Sequence, residues 1–292
     1  MDYLYLNSMF SPRFTLLPLL LGHFGKLPIK VVLAPRGMLH QGALQYKSFK
    51  KQLLLQLFKH LGIYQRVYFH ATDPQEKADI VRQLGVSEER TIVIPNIPQG
   101  PAAELVPRNK KPGQLRLVFI SRVAPKKNLD FFLRLLHEYS ISGQLELAVY
   151  GNIEEGYWET CLTIIKKLPD HISVEYHGSL RPAQVTESLE SHHFFLLPTH
   201  GENFGHAIFE AFATGTPVLI SDQTPWRDLA QQRIGWDLPL SDEVAWVDAI
   251  QQAIDMDQDT YRQWSRSAHA FAKKYLEEQD LVGRYMELFE EN

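Results

Sequence analysis

The chain has 292 residues, 45% hydrophobic and 22% charged, with a formal net charge of −4. That is ordinary globular composition, long enough for two cores, and it excludes low-complexity and fibrous classes. One cysteine, Cys161, excludes an intramolecular disulfide framework and fits a reducing compartment. No apolar run reaches the length of a membrane span, and Leu16–Leu21 is too short, with no basic run before it, for a secretion signal.

In chain order, strands are predicted at Tyr3–Leu6, Ile29–Leu33, Val67–Ala71 and Thr91–Ile94, with helices near 12–24, 47–61 and 74–84 between them. Pro95–Gly113 holds five prolines and two glycines with little periodicity, and reads as a linker. Leu115–Ile120 opens a second series, with strands near 144–150, 172–176, 193–197 and 217–220 and helices near 127–140, 155–168, 182–190 and 206–214. The tail, 242–290, is helical by pattern. This alternation predicts an α/β protein with two doubly wound, Rossmann-like domains. The expected boundaries are 1–97 for the first, 98–114 for the linker, 115–278 for the second and 279–292 for a final helix.

Charge is distributed unevenly. Residues 1–70 carry nine Lys/Arg against one acid, a net of +8, which leaves −12 for residues 71–292. The asymmetry suggests an anionic partner for the first part. Tyr46–His60 mixes basic and apolar positions at helical spacing, and reads equally as a surface for an anionic membrane or as a core helix with a solvated basic face. No nucleic-acid partner is expected.

The most informative stretch is 198–226, PTHGENFGHAIFEAFATGTPVLISDQTPW. A buried strand runs into a loop, Gly205 frees the backbone for a helix beginning near His206, and Gly215 and Pro217 stop that helix before the next strand. A helix N-terminus after a parallel strand presents N–H groups to an anion, here those of Gly205, His206 and Ala207. Glu202 and Glu210 accept hydrogen bonds from hydroxyls, so Glu202 suits a hexose and Glu210 a ribose diol, with phosphates between them. Taken alone, the pair reads as a loop acid and a partly buried helix acid; the flanking residues change that reading. No Asp-x-Asp or histidine cluster implies a metal; His192 and His193 precede a strand and read as structural, and His200 sits in the loop near Glu202.

These residues resemble glycosyltransferase family 4, retaining nucleotide-sugar transferases of the GT-B fold. The family's E-x7-E element corresponds to Glu202–Glu210, and a second element to Ser121-Arg122-Val123-Ala124-Pro125-Lys126-Lys127-Asn128. The likeness runs from about Leu115 to Trp236, and less sharply through 34–39 and 94–96. It implies transfer of a sugar from a UDP- or GDP-sugar to a glycan or lipid-linked acceptor in polysaccharide or lipopolysaccharide assembly, with no added cofactor. It places the protein in the cytoplasm or at the inner membrane face. Arg122, Lys127 and Glu202 are then the catalytic candidates, the two cations stabilising charge on the departing diphosphate. Gly151 and Gly178 end strands beside the nucleotide, Ser179 and Leu180 frame its base, and Arg36 and Gly37 meet an acidic group of the acceptor. Each glycine reads equally as a tight turn.

The resemblance has one departure. The first domain reads as short by about two βα units, as if the chain began at a middle strand, and Tyr5 and Asn7 stand where relatives carry two histidines. Asn7 hydrogen-bonds a sugar hydroxyl but accepts no proton. The chain is therefore either a fragment or reduced on its acceptor side. The rival readings are an inactive nucleotide-sugar-binding module or partner subunit, and an epimerase or phosphorylase on the same architecture.

Overall fold

The computed structural model describes residues 3–25, 29–39, 48–95, 100–101 and 104–290. The beginning of the predicted basic helix, 46–47, the Asn96 of the weaker likeness and parts of the expected linker lie outside the described residues. The chain divides into two compact units, Met1–Ile97 with Asp280–Asn292, and Pro98–Gln279. Each is a Rossmann-like α/β unit built on a parallel sheet.

The first unit begins β1 (Tyr3–Leu6), α1 (Leu17–His23), β2 (Lys30–Leu33), α2 (Ser48–His60), β3 (Val67–Ala71), α3 (Pro74–Leu84) and β4 (Thr91–Val93). The second runs β5 (Gln114–Ile120), α4 (Leu129–Glu138), β6 (Gln144–Tyr150), α5 (Glu155–Ile165), β7 (Ile172–Tyr176), α6 (Pro182–Glu190), β8 (Phe194–Leu197), α7 (His206–Ala213), β9 (Val218–Ser221), β10 (Gly235–Leu238), α8 (Glu243–Asp255) and α9 (Gln258–Gln279). The final helix, α10 (Leu281–Glu290), belongs to the first unit.

Strand alternation sorts the first unit into layers. Its sheet order is β1-β2-β3-β4, every pair parallel. Leu4, Leu6, Val31, Leu33, Val67 and Phe69 point to one face, where they form a core with Leu16 and Leu19, Leu55 and Phe58 of α2, and Ile80 and Leu84 of α3. The alternate residues Tyr3, Tyr5 and His70 meet α10 on the other face: Phe289 packs edge-on against Tyr3 and Tyr5, and Tyr285 against His70. Arg284 donates from Nη2 to the Val93 carbonyl at 2.6 Å.

The second sheet has the order β10-β9-β8-β5-β6-β7. Its strands β8 (FFLL) and β9 (VLIS) read as nearly continuous apolar runs and are buried at every residue, as in a sheet covered on both faces. Trp246, Phe132, Phe195 and Phe209 are among its largest fully buried side chains.

Four details depart from the sequence expectation. The helix expected at 12–24 opens as one wide turn, Pro12–Leu16, capped by the Ser11 hydroxyl, before α1 begins. The helix expected from 127 starts at Leu129, because Pro125–Lys127 form a 3-10 turn and Asn128 adopts φ 58°. β10 is an addition, since GWDL has no alternation of its own and is ordered by pairing with β9. The expected linker also folds onto the second unit from 104 onward. Arg108 donates to the carbonyls of Glu190, Thr214 and Gly215 at the ends of α6 and α7, and Lys110 Nζ donates to those of Ile254 and Met256 at the end of α8. Cations there satisfy carbonyls left open at helix C-termini. Burial lowers the Lys110 pKa to about 8.

Candidate donor site at the carboxyl edge of the second sheet

β5 has β8 on one side and β6 on the other, so strand order reverses at β5. A crevice outside the carboxyl ends of the strands at such a reversal is where open α/β sheets bind ligands. The residues singled out in the sequence gather there. Arg122 and Lys127 follow β5, Gly151 follows β6, Gly178 and Ser179 follow β7, Glu202 follows β8, and Gly205 opens α7.

Backbone hydrogen bonds tie these loops together. The Lys126 carbonyl accepts from the His200 N–H at 2.9 Å and from the Thr199 hydroxyl at 3.1 Å. The Glu202 N–H donates to Gln223 O at 3.0 Å, and Trp226 Nε1 to Phe204 O at 2.7 Å. On this frame Lys127 Nζ forms an ion pair with Glu202 Oε1, both side chains largely shielded. Arg122 is exposed and has no partner among the described residues. One cation is thus held in place and the other is available.

Gly205 sits at the α7 N-cap with φ 77°, where a Cβ would lie 2.8 Å from Ile208 Cδ1. Glycine alone enters α7 this way without strain, and the opening N–H groups of the helix, those of His206 and Ala207 included, lie at its N-terminus. Glu210, on the second turn, is half-buried, and its carboxylate has no partner among the described residues. Burial raises its pKa. A desolvated carboxylate without donors is costly, and a pair of hydroxyl donors would satisfy it.

On the far side, Gly151 has φ 136°, and a Cβ there would lie 1.9 Å from the Ser121 carbonyl oxygen. Its N–H donates to Gly178 O at 2.9 Å, and Ser179 Oγ to Asn152 Oδ1 at 2.7 Å. Leu180 follows, half-buried. His177 stacks on Tyr150 with ring centroids 5.1 Å apart. Sequence reasoning did not single out Asn152, His177 or Tyr150. The signal it passed over was their position, each within two residues of a strand's carboxyl end.

The acceptor-side candidates meet at the carboxyl edge of the first sheet. Arg36, at φ 55°, donates from Nε to Asn7 Oδ1 at 2.6 Å and from Nη2 to the Tyr5 hydroxyl at 2.8 Å. Tyr5 lies 2.6 Å from His70 Nδ1, and His70 Nε2 lies 2.7 Å from the Ile94 carbonyl. A carbonyl only accepts, so Nε2 carries the proton and Nδ1 receives the Tyr5 O–H. Burial pushes Tyr5 up to about 12 and His70 below its ordinary value, keeping both neutral. The Gly37 N–H donates to Glu76 Oε1 at 2.6 Å, while the Thr72 N–H and hydroxyl donate to Oε2, each at 2.7 Å. Tyr5, His70 and Glu76 are additions to the sequence list. For Glu76 a signal existed: Asp73-Pro74-Gln75-Glu76 has the form of a capping box, with the acid at the third helical position.

No group of three His, Cys, Asp or Glu that would hold a metal occurs among the described residues. His193 is structural: Nδ1 accepts the Arg116 N–H at 3.0 Å and Nε2 donates to Asn109 O at 3.0 Å, and burial lowers its pKa to about 3. His192 bonds to the Ser188 carbonyl at 2.6 Å. No described helix is long and apolar enough to cross a membrane.

The fold has solved counterparts. Anabaena HepE, crystallised with UDP-glucose, aligns with TM-score 0.62 and 16% identity over 98% of this chain and 77% of its own. WaaG, a glycosyltransferase involved in lipopolysaccharide biosynthesis, aligns with TM-score 0.63 and 14% identity over 94% and 81%. A mutant of S. aureus TarM, in complex with fondaparinux, alpha-GlcNAc-glycerol and UDP, aligns with TM-score 0.60 and 14% identity over 90% of this chain. The chain spans about half the length of TarM, 51%. No curated protein matches the sequence. Residues 103–271, more than half of the chain and the whole of the candidate donor site, match the profile of the family described as glycosyl transferases group 1. The chain belongs to the group 1 glycosyl transferases.

Proposed function

We propose that the protein is a retaining hexosyltransferase of family 4. It moves a sugar from a UDP- or GDP-sugar to a glycan or lipid-linked acceptor in cell-surface polysaccharide or lipopolysaccharide assembly. The observation that carries this reading is Glu210, a half-buried carboxylate without a partner among the described residues, on the second turn of a helix whose N-terminus lies at the strand reversal. A ribose diol supplies the donors it lacks. The diphosphate then lies at the N-terminus of α7, within reach of Arg122 and Lys127, and Glu202 turns to the hexose.

In the reaction, the bond from the anomeric carbon to the diphosphate oxygen breaks and a bond to the acceptor oxygen forms on the same face. The electron pair leaves on the phosphate, where Arg122, Lys127 and the helix N–H groups stabilise it. The departing phosphate takes the acceptor's hydroxyl proton, so no protein base is required. Arg36 and Asn7 are the acceptor-side residues, and the basic helix α2 faces an anionic membrane surface at the inner side. The likeness to HepE with UDP-glucose and to WaaG supports a UDP donor and a surface glycan. One observation favours a second reading, a nucleotide-sugar-binding subunit without turnover: Asn7, where the resemblance implies a histidine, already accepts from Arg36.

Calorimetric titration with UDP-, GDP- and ADP-sugars, with Glu210→Ala as control, tests the site. Saturable binding of one donor, lost in the variant, is expected. Binding that survives the variant unchanged would remove Glu210 from the site, and binding without transfer or hydrolysis would select the second reading.

A further inference from the structure

The second unit has a cavity of about 480 Å³ away from the candidate donor site. One wall is the segment 105–109 that leads towards β5, and the other is the start of α9, from Gln258 to Arg266. Arg108 fixes its place in the fold, because it lines the cavity and donates to the carbonyls of Thr214 and Gly215 at the end of α7. The candidate donor loops stand at the other end of that helix, whose 8 residues span about 12 Å.

Arg108, Arg262 and Arg266 line the cavity and no acid does. That is unlike the unit around it, since residues 98–279 carry 17 Lys/Arg against 24 Asp/Glu, a net of −7. Arg262 and Arg266 stand four apart on α9, the spacing at which like charges on a helix repel. Asp259 answers Arg262 at 2.9 Å, but both side chains are exposed and such a pair is weak. Arg266 has no partner among the described residues. Arg108 is 8% exposed and places four of its N–H groups on Glu190 O, Gly215 O, Thr214 O and the Tyr261 hydroxyl. A guanidinium has five, so one Nη2 hydrogen is left without an acceptor among the described residues. Ser265, also 8% exposed, lines the same cavity with a hydroxyl that has no partner among them either. Buried donors without acceptors are costly, and two at one cavity point to an anion as the acceptor they lack. Leu105, Val106 and Pro107 add an apolar wall, with Val106 46% exposed.

We propose that this cavity is a binding site for a small organic phosphate, a phosphomonoester with an apolar or aromatic body, separate from the donor site. A phosphomonoester dianion presents three oxygens to the guanidinium forks of Arg262 and Arg266, the spare Arg108 N–H and the Ser265 hydroxyl. A carboxylate presents only two. The apolar body of the ligand lies against residues 105–107. The cavity volume is in the range of small-ligand pockets. The site uses no residue of the donor loops, so it stands apart from the transferase reading.

The experiment is calorimetric titration of the full chain with phenyl phosphate, and with inorganic phosphate and benzoate for comparison. It is run on wild type, on Arg262→Ala/Arg266→Ala and on Lys127→Ala, with circular dichroism to confirm folding. One saturable site for phenyl phosphate is expected, weakened about tenfold or more by the arginine variant and unchanged by Lys127→Ala. Inorganic phosphate should bind more weakly, because it lacks the apolar contact. Equal affinity for inorganic phosphate would remove the apolar wall from the site and overturn the organic ligand. Benzoate binding as tightly as phenyl phosphate would overturn the choice of phosphate. No binding to wild type, or binding unchanged in the arginine variant, overturns the site itself. Binding lost only in Lys127→Ala would put the phosphate at the donor loops, which overturns this proposal while supporting the donor reading.

Discussion

Lys127 and Glu202 are 75 residues apart in sequence and form an ion pair at the carboxyl edge of the second sheet. Each follows one of the two strands, β5 and β8, that meet where strand order reverses. The pair joins a residue read as a phosphate cation to one read as a sugar acceptor. Without donor the two satisfy each other. On the proposed reading, a bound donor's phosphate offers Lys127 a second anion and releases Glu202 to the sugar hydroxyls.

Separate losses are expected from that pair. Lys127→Ala should weaken both UDP and UDP-sugar by about ten- to a hundredfold, because a charge-assisted contact to phosphate is removed. Glu202→Gln should keep UDP affinity and lose the preference for UDP-sugar over UDP. Calorimetry with both ligands reads this. Equal losses for both ligands in Glu202→Gln would place Glu202 with the phosphate instead.

On the proposed reading, Glu210 sets stability against function. Burial raises its pKa above the unfolded value, so folding favours the protonated carboxyl. The associated stability is complete below the unfolded carboxyl pKa and is lost as pH rises through the folded one. Glu210→Gln removes the charge that is costly at neutral pH. The variant should melt higher than wild type at pH 7, with the gap closing as pH falls into the carboxyl range, while donor affinity drops. A lower melting temperature at pH 7 would show that the carboxylate already has a partner in the free protein.

Gly151 should tolerate no side chain. At φ 136°, with a Cβ 1.9 Å from Ser121 O, alanine must push the β5 and β6 loops apart. Gly151→Ala should cost about 2–4 kcal/mol in urea unfolding. Donor affinity should fall with it, since Ser121 leads into Arg122. Unchanged stability would mean that the two loops separate freely.

Two buried neutral histidines predict acid sensitivity. His70 and His193 both have lowered pKa values from burial, His193 to about 3. The unfolded chain takes up protons near the ordinary histidine value of about 6.5 that the folded chain refuses, so stability falls as pH drops below it. For His193 the decline continues to about pH 3. His193→Gln should flatten the slope of stability against pH between those limits. An identical slope in the variant would show that His193 protonates in the folded state.

The alternation of strands and helices was legible in the chain alone, because apolar period and turn residues are local properties. So were the residues of the candidate donor loops, since a glycine helix entry with carboxylates eight apart is written contiguously from Glu202 to Glu210. What stayed open depended on distant partners. β10 exists through its pairing with β9. Arg108 and Lys110 look like linker charges until the ends of α6, α7 and α8 supply carbonyls to them. Only the fold could bring Asn7, Arg36, Tyr5 and His70 to one sheet edge, or join Lys127 to Glu202. Local sequence sets what each segment prefers; which carbonyl, carboxylate or ring a side chain meets is decided by strand order, which no single segment encodes.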